Sequence, residues 1–272
     1  GARRKLQEDG RGAEMSAGRK AGGQLALKKV RSVCEKAVSL KRSLSHPYCA
    51  AVIVAAGSAS RMEGTDKIFT LLDRLPVICR TVEAFQKCSL IDEIVLVTRP
   101  EKLERLSRLC PAYPKVRMVV PGGETRLGSV LAGLRAVSEQ TQLVAVQDGA
   151  RPLVSEKVIS AAVVQAGRCG AAAPAVPVKD TIKVASGGTV VETPDRSRLF
   201  AVQTPQVFDV DLLRGALQNA QEKQLPVTDD CSAVEAIGKI VFLTEGSEEN
   251  IKITTPLDLE LAEAILRRRR EA

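Results

Sequence analysis

Histidine is nearly absent from this chain. Its 272 residues include one, His46, and that scarcity removes the most versatile general base and the commonest metal ligand from its chemistry. Beyond residue 46 a His-based triad and a His-rich metal centre are both excluded. Catalysis there must rest on carboxylates, lysine, arginine and a bound metal ion. CxxC pairs are absent too. The cysteines are Cys34, Cys49, Cys79, Cys88, Cys110, Cys169 and Cys231. An odd number at irregular spacing fits reduced thiols in a cytoplasmic protein better than a disulfide framework. No run approaches the ~18 apolar residues of a membrane span, and the basic, polar N-terminus does not read as a secretory signal. The two best-known phosphate loops, GxxxxGK[ST] and GxGxxG, are missing as well.

The net charge of +8 is confined to one end. Residues 1–48 hold 12 of the 40 Lys+Arg and 4 of the 32 Asp+Glu, leaving 28 of each sign in the remainder. The body is therefore not expected to bind nucleic acid. Residues 1–47 form a separate extension, Gly-rich and polar enough for disorder to be the default. Residues 24–44 carry apolar positions at helical spacing with a basic opposite face, the pattern of a short surface helix for a membrane or RNA. A solvated tail, or sequence foreign to the native protein, accounts for the segment more simply, and its partner is left open.

The body, residues 48–272, is organised around AVIVAAGSASRMEGTDK, residues 51–67. Ala51–Ala55 has the composition of a strand buried on both faces. Ala56-Gly57-Ser58-Ala59-Ser60 then lets backbone approach a ligand closely. Successive N–H groups after a buried strand make an anion cradle, and Arg61 and Lys67 add cations beside it. Further on, strands at 94–97, 116–120 and 143–146 alternate with helices beginning at Pro76, Glu101, Thr125 and Ser155. That rhythm indicates βαβ units and a mostly parallel sheet. In such sheets ligands bind beyond the carboxyl ends of the strands. The segments 56–67, 121–126 and 147–152 all fall there. After Gly170 the pattern changes: residues 179–201 read as hairpins around Ser186-Gly187-Gly188 and Thr193-Pro194-Asp195, an arm inserted into an α/β chain. Helices at 210–224, 229–237 and 256–270 close the chain. Arg267–Arg270 reads as a solvated helix end.

Taken in order, AVIVAAGSASRM…DK, PGGETRLGSVLAGL, QDGARP, VKDTIK, DRSRLFAVQTPQVF, TDDCSAVE and NIKITTP resemble the 2-C-methyl-D-erythritol 4-phosphate cytidylyltransferases over about residues 49–270. The resemblance implies an α/β, Rossmann-like fold of the nucleotide-diphospho-sugar transferase type, carrying a β-hairpin arm at about 179–201. It implies transfer of CMP from CTP to a small polyol phosphate with loss of pyrophosphate. Such chemistry depends on positioning and charge neutralisation more than on acid–base groups. Arg61 and Lys67 would stabilise the transition state. Ala55, Ala56 and Gly57 would present backbone to the nucleotide. Gly122, Gly123, Glu124, Arg126 and Ser129 would hold the cytosine. Asp148 would also face the nucleotide and bind Mg2+, with an N-cap or loop-stapling role as its other reading. Arg151 suits either a partner for Asp148 or a phosphate contact. Arg196, Lys252 and Thr181 would position the second substrate. The family's homodimeric arm exchange implies that Thr181 and Arg196 act on a neighbouring subunit. Ribitol 5-phosphate cytidylyltransferase, or a nucleotide-binding module without catalysis, are the alternatives. The chain departs from the family at Ile68, where Gln is common after the lysine, and at Cys231, where a small residue is usual.

Overall fold

The computed structural model describes residues 47–57 and 66–271. The expectations for the N-terminal extension, and the residue Arg61, lie outside them. Strand β1 (Cys49–Val54) is buried throughout except for a half-buried Val54. Its side chains divide by parity, as a strand covered on both faces must. Ala51 and Ile53 join one apolar cluster, with Ile94, Leu96, Val82 and Phe85. Val52 joins the other, with Val95, Val97 and Leu134.

A small hairpin, β2 (Leu71–Leu72) and β3 (Leu75–Pro76), leads into helix α1 (Val77–Lys87). Asp73 and Arg74 close that hairpin with φ of 49° and 68°, the left-handed pair a two-residue turn requires. Arg80 steadies it by donating to the carbonyls of Leu72 and Asp73, 2.7 Å each. Next come β4 (Glu93–Thr98), the short helix α2 (Leu103–Ser107), β5 (Val116–Pro121), α3 (Arg126–Ala136), β6 (Leu143–Asp148) and α4 (Glu156–Cys169). Ser155 caps α4 by accepting from the Val158 amide. The helix expected over 101–110 is broken into α2 and two 3-10 turns, Pro100–Lys102 and Cys110–Ala112. The second of these has Pro111 in its first turn, where the missing N–H does least harm.

Strand β7 (Ala171–Pro177) precedes the arm. Of the two expected hairpins one forms, β8 (Val184–Ser186) with β9 (Thr189–Glu192). Around Pro194 the chain makes a 3-10 turn, Arg196–Arg198, capped by the Asp195 carboxylate. It then returns to the main sheet as β10 (Phe200–Val202) and β11 (Gln206–Asp209), with a cis Thr204–Pro205 bond between them. Helices α5 (Val210–Glu222) and α6 (Asp230–Ala236), strand β12 (Phe242–Glu245) and helix α7 (Pro256–Glu271) complete the chain.

The central sheet runs β7-β11-β6-β1-β4-β5, with β10 in line with β11 and β12 on the far edge of β7. Strands β6, β1, β4 and β5 are parallel, and β11 is antiparallel to β6. From β1 the chain runs outward through β4 to β5 and then crosses back to β6 on the other side of β1, and this reversal opens a crevice at the carboxyl end of β1. Helices α1 and α4 cover one face, and α3, α5 and α6 the other. Helix α7 seals a third cluster with Ile253, Leu153 and Val77. Its terminal arginines are exposed, as expected of a solvated helix end, and three of them also make contacts. Arg268 and Arg269 grip Glu249, Arg269 donates to the Leu153 carbonyl at 2.9 Å, and Arg270 pairs with Asp73 at 2.8 Å. Among the described residues, no helix is long and apolar enough to cross a membrane.

The approach of α3 to the sheet is set by Gly133. A Cβ there would stand 2.4 Å from Val52 Cγ1 and 3.0 Å from Val97 Cγ2, inside any tolerable contact. Gly133→Ala should therefore destabilise the protein by about 1–3 kcal/mol despite alanine's better helix propensity. Urea unfolding will register this as a lower midpoint with an unchanged slope.

Candidate active site

The carboxyl ends of β1, β4, β5 and β6 converge because their hydrogen bonding continues past the strands. The Ala55 amide donates to Val97 O at 2.7 Å, Gly122 N to Thr98 O at 2.7 Å and Gly149 N to Val54 O at 2.8 Å. Around them lies a cleft of about 580 Å³, a size suited to a nucleotide-scale ligand. Ala55, Ala56 and Gly57 form one wall with Lys67, and Gly123, Glu124, Thr125, Arg126 and Ser129 form another. Asp148 and Lys252 lie at its base.

The second wall is built on close backbone approach. A Cβ on Gly122 would meet Ser129 Oγ at 2.7 Å and Ala56 Cβ at 2.8 Å. One on Gly123 would meet the Gly128 carbonyl carbon at 2.9 Å. Both positions need glycine for space. Thr125 caps α3 by accepting from Gly128 N. The buried Ser129 hydroxyl reaches the Thr125 and Gly123 carbonyls at 3.0 and 3.3 Å. The loop is thus locked onto the first turn of α3, whose free amides favour an anion.

At the base, Asp148 is encircled by cations from three parts of the chain. Lys252 Nζ stands 2.9 Å from Oδ2 and Arg151 Nε 3.5 Å from it, while Arg126 Nε stands 4.0 Å from Oδ1. Burial by itself would raise the Asp148 pKa, but Lys252, then Arg126 and Arg151, outweigh it and hold the carboxyl below the usual range. Arg126 also binds the buried Asp230 at 2.7 Å. There burial prevails, and the Asp230 carboxyl is pushed up against the pull of Arg126.

Lys252 is presented by a segment tied down on both sides. Ile253 N donates to Ala150 O at 2.8 Å, and Arg151 Nη1 to Asn250 O at 2.6 Å. The buried Asn250 side chain donates to Gln203 Oε1 and Thr204 O. Thr204 Oγ1 in turn accepts from the Asp148 amide. Arg151 is therefore a structural partner of Asp148 and of the 250–253 segment.

Every predicted nucleotide residue except Gly122 lines the cleft itself, and Gly122 packs directly behind it. Thr181 and Arg196 do not line it. Both are exposed on the arm, where Arg196 Nη1 donates to Lys179 O at 2.6 Å. Ile68 is 4% exposed and packs in the core beneath β1, its carbonyl accepting from Ile78 N. Its departure from glutamine therefore adds core packing next to Lys67. Cys231 is likewise a buried core residue, and its amide donates to Gln206 Oε1. Sequence reasoning missed Arg99, which lines the cleft and donates to the carbonyls of Ala56 and Gly57. It also missed Asp230, which holds Arg126. Arg99 carried no usable signal, and Asp230 only its place in TDDCSA.

Comparison with known proteins bears on the same region. The family described as 2-C-methyl-D-erythritol 4-phosphate cytidylyltransferase (IspD) matches residues 49–268. A curated protein of that name from Desulforamulus reducens is 47% identical over 225 residues, 80% of this chain and 96% of the relative. One from Alkaliphilus oremlandii is 42% identical over 226 residues, covering 81% and 95%. Among solved structures, the 4-diphosphocytidyl-2C-methyl-D-erythritol synthase of Anaerococcus prevotii superposes with a TM-score of 0.74 at 30% identity, covering 82% of this chain and 97% of that one. The 2-C-methyl-D-erythritol 4-phosphate cytidylyltransferase of Thermus thermophilus gives 0.67 at 34%, covering 79% and 98%.

Asp148→Asn removes the anion from a partly buried cation cluster and should cost about 1–3 kcal/mol at pH 7. Because the native carboxyl titrates below its unfolded value of about 3.9, the contribution is complete above that value and is lost as pH falls through the lower native one. Urea unfolding of both proteins across the acid range should show the stability gap closing in that window.

Proposed function

The chain belongs to the 2-C-methyl-D-erythritol 4-phosphate cytidylyltransferase family, and we infer that it transfers CMP from CTP to 2-C-methyl-D-erythritol 4-phosphate. The products are 4-diphosphocytidyl-2-C-methyl-D-erythritol and pyrophosphate, and the reaction serves isoprenoid biosynthesis. The observation that carries this reading is the cleft itself. A backbone wall for a nucleotide faces Lys67, and Lys252 is held 2.9 Å from Asp148 at its base.

In the reaction a phosphate oxygen of the acceptor attacks the α-phosphorus of CTP. The new P–O bond forms as the bond to the β-phosphate oxygen breaks, and the electron pair leaves with pyrophosphate. No proton need be taken from the attacking phosphate, which accords with a body lacking histidine. Lys67 lines the cleft where the triphosphate would lie, and with Arg61 it meets the charge growing on the α-phosphate and leaving group. Ala55, Ala56 and Gly57 offer backbone to the nucleotide. Gly122, Gly123, Glu124, Arg126 and Ser129 frame the base.

Mg2+ is proposed as the cofactor. It characteristically takes one or two carboxylates and completes its shell with phosphates and water. Asp148 fits that donor set: it is held ionised, and its Oδ1 stands 4.0 Å from Arg126 Nε, farther than Oδ2 stands from Lys252. Among the described residues no cluster of three or more His, Cys, Asp or Glu would hold a metal without substrate. A bound Mg2+ would neutralise phosphate charge, while Lys252 and Arg196 orient the acceptor.

The working form is proposed to be a cytoplasmic homodimer. The arm's β8–β9 hairpin is a two-stranded sheet by itself, too small for independent stability. It exposes Ile182, Val184, Val190 and Val191. An arm laid on a second copy would cover these side chains and bring Thr181 and Arg196 to the neighbouring cleft.

Pyrophosphate release from CTP should be faster with 2-C-methyl-D-erythritol 4-phosphate than with ribitol 5-phosphate; the reverse order would assign the other acceptor. Lys67→Ala should lower kcat by at least a hundredfold, in the range of other lost transition-state donors at ~10²–10³. Lys252→Ala should chiefly raise KM for the polyol phosphate, by roughly tenfold or more for one charged contact. Dimers that pair a Lys67→Ala subunit with an Arg196→Ala subunit should regain activity that neither homodimer has. Absence of recovery in purified mixed dimers would exclude arm exchange.

A further inference from the structure

We propose that Arg99 and Lys102 are positioning residues, a two-point brace that sets the nucleotide wall and Lys67 in register with each other. Nothing in the family motifs includes either residue, and the proposal rests on the cytidylyl transfer assigned above.

Both cations sit on one tight turn. Strand β4 ends at Thr98, and the 3-10 turn Pro100–Lys102 follows, closed by Lys102 N donating to Arg99 O at 3.0 Å. From its near side Arg99 reaches the end of the β1 wall: Nε donates to Ala56 O at 3.1 Å and Nη2 to Gly57 O at 2.9 Å. Glu101, 3.6 Å from Nη1, steadies the guanidinium. From the far side Lys102 Nζ pairs with Asp66 Oδ2 at 2.6 Å. That pair is not a loose surface contact, for the two side chains are only 17% and 24% exposed.

Asp66 is fixed through its backbone too. Its carbonyl accepts from Phe69 N, Thr70 N and Thr70 Oγ1 at 3.0 to 3.2 Å. Lys67 is the next residue, so a shift of Asp66 carries the Lys67 main chain with it. The protein thus spends two cations beside its anion cleft on its own oxygens. An arginine bonded to two consecutive carbonyls fixes the direction of a backbone, and a lysine on a carboxylate fixes a point. Together they tie Ala56–Gly57 and Asp66–Lys67 to one rigid strand end, the support that transfer chemistry needs when an error of about 1 Å costs roughly a hundredfold in rate.

The test uses the full-length enzyme and five variants: Lys102→Met, Lys102→Arg, Asp66→Asn, Arg99→Met and the double variant Lys102→Met with Asp66→Asn. Pyrophosphate release is measured against both substrates, CTP affinity by calorimetric titration, and folding by thermal unfolding. Lys102→Met, Asp66→Asn and Arg99→Met should each lower kcat tenfold or more and weaken CTP binding. KM for the polyol phosphate and the unfolding midpoint should stay near wild type. Lys102→Arg should recover most of the activity, and the double variant should be no worse than its singles, because they break one contact. Wild-type kcat and CTP affinity in Lys102→Met and Arg99→Met, additive losses in the double variant, or a loss that follows the unfolding midpoint would each overturn the brace. Wild-type protein that releases no pyrophosphate would refute the assigned reaction instead, and the CTP titrations would still decide the brace.

Discussion

The site depends on one partly buried carboxylate. Asp148 ends β6 and draws in Arg151 from the adjoining turn, Arg126 from the first turn of α3 and Lys252 from a segment about a hundred residues later. Each of these cations would be costly to hold near the others without an anion between them. With Asp230 included, two carboxylates face three cations. Asp229 also acts on Arg126, and Lys67 and Glu124 line the cleft nearby. A body neutral overall has gathered four of its cations, Lys67, Arg126, Arg151 and Lys252, in and around one cleft.

Packing and chemistry place the same demands on several residues. Gly122 and Gly123 are needed because Ser129, Ala56 and Gly128 leave no room for a Cβ, and that crowding brings backbone to the cleft surface. Ser129 is a buried hydroxyl bonded to loop carbonyls, so it fixes the shape of that loop. Asn250 plays the corresponding part below, joining β11's approach to the Lys252 segment through Gln203 and Thr204. Helix α7 supports it from outside through Arg268, Arg269 and Glu249.

The parallel core was legible because its strands are short, wholly apolar and bounded by turn residues: β1, β4 and β6 fall within a residue or two of where the pattern put them. The arm was harder. Alternation around Pro194 looks like a strand pair, but a proline and an Asp195 cap favour a 3-10 turn, a choice made by local hydrogen bonds that periodicity does not register. The helix over 101–110 failed for a similar reason, with Pro100 and Pro111 bracketing a stretch too short to propagate. Within the cleft, the residues that the sequence suggested lie in contiguous motifs, whereas Arg99, which it did not suggest, has no motif to mark it. Arg99 and Asp230 matter through partners 42 and 104 positions away, and no local pattern reports such a distance. The arginines of α7 are exposed, as the sequence suggested, but their partners Glu249 and Asp73 become neighbours only in the folded chain.

The return of residues 250–253 to the turn after β6 has a bearing on how the protein is made. A chain emerging from synthesis folds from its N-terminal side, and the sheet up to β11 has its partners before Lys252 exists. The nucleotide wall can therefore form early. Lys252 arrives with α7, when Ile253 docks on Ala150 and α7 buries Leu153 and Val77. Lys252 therefore takes its place beside Asp148 after the walls of the cleft are built, so the ion-pair cluster at the base of the cleft is completed later than the backbone around it.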